Sequence, residues 1–180
     1  PPRLRLPVVV DHGPADAVGD PARGRLVERL ALQVHDSGWD FDAIVCLARG
    51  GLRVGDVLSR IFDRPLGVMF TSSYREQGGR EQGEIRIGEH LCSAVELPGT
   101  RWLLVDDLVD SGHTLGEVLR ILPQRYPQLR EVRSAVIWQK AISVVRPDYV
   151  VEYLADSPWI RQPFEVYDAL GPEALRNRLP

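Results

Sequence analysis

Cysteine is scarce in this sequence: Cys46 and Cys92 are the only two in 180 residues, and they form neither a CxxC pair nor a Cys/His ligand spacing. A disulfide framework and a zinc site are therefore not expected, and both thiols are expected to be buried and reduced. Basic runs are missing as well. The 22 Lys and Arg against 25 Asp and Glu leave a formal charge of -3, and phosphate-backbone affinity needs clustered cations, so a nucleic-acid partner is not expected. No apolar run reaches the roughly 18 residues that a membrane span needs, and no signal-peptide pattern opens the chain. These absences leave the expectation of a soluble, cytoplasmic protein with no membrane partner. Its 44% hydrophobic residues suffice for a real core, and the length fits a single domain over residues 1–180.

What is present is an alternation of strand and helix patterns. Asp20-Pro21 is an N-cap followed by proline in the first turn, and Leu26, Leu30 and Val34 recur at helical spacing to about His35. The nearly continuous apolar run Asp42 to Leu47 predicts a strand covered on both faces. A glycine loop, Ala48-Arg49-Gly50-Gly51, follows it directly, then a helix over Leu52 to Phe62 and a strand over Pro65 to Phe70. From Thr71 to Glu89 the chain turns polar and glycine-bearing, which predicts a long mobile loop. Trp102 to Val105 predicts another strand, followed by the turn DDLVDSG and a helix over Thr114 to Tyr126. Strands over Val132 to Trp138 and Tyr149 to Leu154 complete the set. The alternation implies an α/β fold, a doubly wound and mostly parallel sheet.

Ligands of such sheets bind at the carboxyl ends of the strands, where both conspicuous loops fall. Between Asp110 and Thr114, Ser111-Gly112 lets successive N–H groups converge at a helix N-terminus. That is a cradle for an anion, phosphate above all. Asp106 and Asp107 would repel the same phosphate, but as acceptor-only groups they suit the hydroxyls of a vicinal diol. Phosphate beside a diol describes ribose 5-phosphate.

The stretch LLVDDLVDSGHT, Leu103 to Thr114, resembles the signature of the type I phosphoribosyltransferases. The resemblance extends to the bacterial xanthine-guanine and hypoxanthine enzymes through ARGGL at Ala48 to Leu52, SSYREQGGR at Ser72 to Arg80, and PDYVVEYLADSPWIRQPFE at Pro147 to Glu165. It implies the type I fold, with a mobile lid loop and a small C-terminal base-binding hood. It also implies transfer of ribose 5-phosphate from phosphoribosyl pyrophosphate (PRPP) to a 6-oxopurine base, xanthine, guanine or hypoxanthine, with Mg²⁺ and release of pyrophosphate, as in purine salvage.

Carried over residue by residue, the resemblance implies that Arg49 with Gly50-Gly51 holds the pyrophosphate, Arg80 reaches it from the lid, and Asp106 and Asp107 face the ribose hydroxyls. Asp107 would contact the Mg²⁺, assisted by Glu165, and Asp110 would serve as general base or as electrostatic partner of the cationic sugar. Ser111, Gly112, His113 and Thr114 would wrap the 5'-phosphate. Lys140, just after a strand, would donate to the purine 6-oxygen, with Trp159 stacking on the base and the backbone near Ile160 reading its 2-position. Phe164 and Ser143-Val144-Val145 depart from the family pattern. A homodimer or homotetramer is implied. Two other functions fit the same fold: a PRPP-sensing regulator without catalysis, and a phosphoribosyltransferase for a different acceptor. The presence of Arg49, Asp106, Asp107, Asp110 and Lys140 together favours the enzyme.

Overall fold

A parallel strand covered on both faces is apolar at nearly every position, because alternate side chains enter opposite cores. Ala43–Ala48 (β2) is such a strand, buried throughout. Its Ile44 and Cys46 enter one core with Leu103, Val105, Leu58 and Leu30. Ala43, Val45 and Leu47 enter a second core with Leu104, Leu115, Val118 and Leu122. A computed structural model of the chain describes residues 10–11, 21–75, 82–158, 160–162, 167 and 170–176.

The elements run Val10–Asp11 (β1), Pro21–Asp36 (α1), β2, Leu52–Phe62 (α2), Leu66–Arg75 (β3), Gln82–Ile87 (β4), Arg101–Val109 (β5), His113–Arg125 (α3), Glu131–Lys140 (β6), Tyr149–Leu154 (β7), Ile160–Arg161 (β8) and Pro172–Arg176 (α4). The main sheet has the order β4-β3-β2-β5-β6-β7. All its pairings are parallel except β3 with β4. Helices α1 and α2 pack on one face and α3 on the other, which is the doubly wound arrangement expected. A second sheet pairs β1 with β8 in parallel. At the opposite edge from the site, the Asp42 carboxylate ties β2 to β5 by accepting the N–H groups of Thr100 and Arg101 at 2.8 and 2.9 Å. No described helix is long and apolar enough to cross a membrane.

The structure corrects four expectations. The stretch expected as one mobile loop pairs at both ends as an antiparallel hairpin, Thr71 opposite Ile87 and Arg75 opposite Gln82. It stands at the sheet edge, so its strands need no continuous apolar run and carry no core signal. Asp106 and Asp107 lie inside β5 rather than in a turn. Pairing of β2 with β5 stops at Cys46 opposite Val105, whereas pairing of β5 with β6 continues to Val109 opposite Gln139. The two acids therefore stand where β2 has turned away and left the strand open on one side. Lys140 is the last residue of β6, not a residue after it. Finally, Cys46 is buried but Cys92 is exposed, bridged to the sheet by backbone bonds with Val68.

Candidate active site

The carboxyl ends of β2, β5 and β6 bring the expected groups to one edge. Asp106 and Asp107 are half-buried there, and the Asp107 N–H donates to Asp106 Oδ1 at 2.9 Å. Burial and then the neighbouring Asp107 charge push the Asp106 carboxyl well above the ordinary carboxylate range, against the opposing N–H groups of Asp107 and Gly51. Just beneath, burial and then the Asp106 charge push the Cys46 thiol up to about 12. A pair of this kind is at ease only with donors or a cation in front of it.

Two loops close on the pair. After β2, the Ala48–Arg49 peptide is cis, Gly51 N–H donates to Leu47 O at 2.9 Å, and α2 begins at once. A Cβ on Gly50 would stand 2.8 Å from Asp107 Cγ and nearer still to Oδ1. One on Gly51 would stand 2.7 Å from Val105 O and 2.8 Å from Leu47 O, both backbone. Glycine is needed at both places for close approach. After β5, Gly112 caps α3 with a φ of 84° and no side chain, so the first-turn N–H groups of α3 receive no side-chain cap. Uncapped N–H groups at the positive end of a helix have the chemistry to take an anion. Behind this turn, Val144 N–H donates to Ser111 O at 2.9 Å, and a Cβ on Gly112 would meet Ser143 Oγ at 2.5 Å. The Ser143-Val144-Val145 segment, which departs from the family pattern, thus packs directly behind the expected phosphate loop. His113 opens α3 with its side chain exposed.

Strand register brings Asp110 beside Lys140, each being the residue after the pair Val109 and Gln139. Lys140 is only 5% exposed, and its Nζ lies 3.2 Å from Asp110 Oδ2. Ile160 is buried in β8. Arg80, Trp159 and Glu165 lie outside the described residues. One residue had no place in the sequence reasoning: Gln162, buried just past β8, donates from Nε2 to Asp107 Oδ2 at 2.8 Å. Its only sequence signal is its place in the quoted WIRQPFE segment.

No cluster of three or more His, Cys, Asp or Glu capable of holding a metal occurs among the described residues. The adjacent acids nevertheless fit Mg²⁺, which takes one or two carboxylates and completes its shell with substrate oxygens and water.

Residues 14–169 match the family model of the phosphoribosyl transferase domain. A xanthine-guanine phosphoribosyltransferase of Chromohalobacter salexigens is 29% identical over 128 residues, which cover 71% of this chain and 70% of that protein. Among solved structures, the Helicobacter pylori xanthine-guanine-hypoxanthine phosphoribosyltransferase is similar with a TM-score of 0.69 at 25% identity, covering 88% of this chain and 96% of that one. A purine phosphoribosyltransferase from Pyrococcus horikoshii is similar with a TM-score of 0.58 at 26% identity, covering 77% and 85%.

Proposed function

This chain belongs to the phosphoribosyl transferase family, and on that premise we propose that it is a purine salvage enzyme, moving ribose 5-phosphate from PRPP to a 6-oxopurine with release of pyrophosphate. One observation carries the reading: a diol-type acidic pair, an uncapped helix N-terminus and a buried lysine converge on one sheet edge. The first two describe the donor and the third describes the acceptor.

Each group has a job that its chemistry suits. The N–H groups of Ser111, Gly112, His113 and Thr114 receive the 5'-phosphate, aided by the positive end of α3. Asp106 and Asp107 accept from the ribose hydroxyls. Arg49 and the Gly50 backbone hold the pyrophosphate, because a guanidinium matches phosphate oxygens in bidentate fashion. Arg80 closes over it from the segment between β3 and β4. Asp107, assisted by Glu165, would hold Mg²⁺, which when bound would neutralise charge on the pyrophosphate. Asp110 stands next to the reacting carbon, where a carboxylate stabilises positive charge on the sugar or accepts the purine proton.

Lys140 selects the base. Its ammonium donates and cannot accept, so it pairs with a 6-oxo group and leaves a 6-amino group facing a like donor. Trp159 stacks on the ring, and the backbone at Ile160 reads the 2-position. The ion pair holds the lysine Nζ beside Asp110, the carboxylate assigned to the reacting centre, which supports a role next to the base. Replacing Lys140 with alanine tests this. The Michaelis constant for hypoxanthine or guanine should rise at least about tenfold, the loss of one charged hydrogen bond, while PRPP binding holds. An unchanged constant for the base removes Lys140 from the pocket.

A further inference from the structure

Gln162 is 4% exposed, and its amide is only half satisfied. Nε2 donates to Asp107 Oδ2 at 2.8 Å, whereas Oε1 has no hydrogen-bond partner among the described residues. The orientation is not arbitrary: a carboxylate accepts and does not donate, so the amide nitrogen must face Asp107 and the oxygen must face away from it. A buried carbonyl oxygen without a donor costs on the order of 1–3 kcal/mol, and such a group calls for a partner that arrives from outside. The partner has to bring an O–H or N–H to a spot beside the Asp106 and Asp107 pair. A vicinal diol brings two O–H groups to that place.

We propose that Gln162 is a sugar-binding residue of the donor site, its Nε2 fixing Asp107 while its Oε1 accepts a ribose hydroxyl. This rests on the phosphoribosyl transfer reading above and extends it to a residue outside the acidic pair. An amide suits the position better than a third acid would. It adds an acceptor for the diol without adding a negative charge next to Asp106 and Asp107, and it supplies the N–H that orients Asp107. Gln162 also stands two residues after Ile160, directly past the end of β8. The segment that reads the base therefore also grips the sugar, and β8 is held to β1 by backbone pairing.

The test compares ribose 5-phosphate with its 2-deoxy and 3-deoxy analogues, by calorimetry on the full chain in EDTA, so that neither turnover nor metal enters the readout. Wild type should prefer ribose 5-phosphate to at least one deoxy analogue. Gln162→Met keeps length and apolar packing but loses both polar ends. Whatever loss all ligands share from releasing Asp107, it should lose about five- to tenfold of the preference for ribose 5-phosphate over the relevant deoxy analogue, the worth of one hydrogen bond. Should Gln162→Met not fold, Gln162→Asn, one methylene shorter, carries the same expectation. A residue that only supported the loop would weaken all three ligands alike, and that result overturns the proposal, as does a wild type with no hydroxyl preference. A wild type that makes nucleotide while the variant keeps its hydroxyl preference removes Gln162 alone. A hydroxyl preference that depends on Gln162, in a protein that transfers to no oxopurine, upholds the sugar contact and removes the base-transfer reading.

Discussion

Replacing Gly50 with alanine adds one methyl group, and the structure says where it goes. The new Cβ would stand 2.8 Å from Asp107 Cγ, closer than the 3.0 Å that real Cβ atoms respect. The obstacle is the end of a side chain, so the carboxylate can swing away and the backbone need not move. Swinging costs Asp107 its hydrogen bond from Gln162 Nε2, now 2.8 Å, and takes one acceptor from the ribose hydroxyls. A hydrogen bond to a charged group is worth about 1.5–3 kcal/mol, so PRPP affinity should fall about 10- to 100-fold. Stability should fall as well, by no more than the worth of the Gln162 bond, because that bond is lost from the free protein while the backbone stays in place. Gly51→Ala is the control. Its Cβ would meet the carbonyls of Val105 and Leu47, which are backbone of two core strands, and overpacking there should cost about 1–3 kcal/mol of stability. Calorimetric PRPP titration and thermal melts of both variants separate the two effects. A Gly50→Ala protein that binds PRPP as wild type does would refute the claim that Gly50 and Asp107 share one ligand site.

Three further outcomes follow from the same geometry. Gly112→Ala puts a side chain at a φ of 84° and against Ser143 Oγ at 2.5 Å; about 1–3 kcal/mol of stability should be lost, and affinity for ribose 5-phosphate should fall with it. Asp106 is held well above its ordinary range, so its contribution to stability is fully present below the unfolded value and is lost as pH rises through the raised folded value. Asp106→Asn keeps the acceptor for the Asp107 N–H and should raise the melting temperature in EDTA at pH 8, by more than it does at pH 5, while weakening PRPP binding; a variant less stable than wild type at pH 8 contradicts the buried-charge account. Cys46 is buried with its thiol pushed up to about 12, whereas Cys92 is exposed; iodoacetamide at pH 8 should add one label to the native protein, at Cys92, and mass spectrometry finding Cys46 labelled would count against the packing of α2 on β2.

The phosphoribosyltransferase fold was legible in this sequence wherever burial is two-sided. The run from Asp42 to Leu47 and the helix from Leu52 to Phe62 lie where their patterns place them, because apolar runs and helical spacing report directly on the core. Edge elements were not legible. The hairpin of β3 and β4 extends into polar sequence, and β1 and β8 are two residues each, too short for any period to declare itself. At the site, the phosphate turn could be read because Gly112 is a backbone requirement written as a residue. The position of Asp106 and Asp107 within β5 could not, because it depends on β5 staying paired with β6 after its pairing with β2 has stopped, a fact of tertiary pairing rather than of local sequence. Gln162 escaped for a similar reason. A glutamine 55 positions from Asp107 carries no spacing signal, and only tertiary structure brings the two within 2.8 Å.

The account stands or falls on base transfer. With PRPP and Mg²⁺ supplied, the protein should convert xanthine, guanine or hypoxanthine to the corresponding nucleoside monophosphate, with stoichiometric pyrophosphate and little or no product from adenine. Tight PRPP binding with no nucleotide formed from any of the three oxopurines would contradict it.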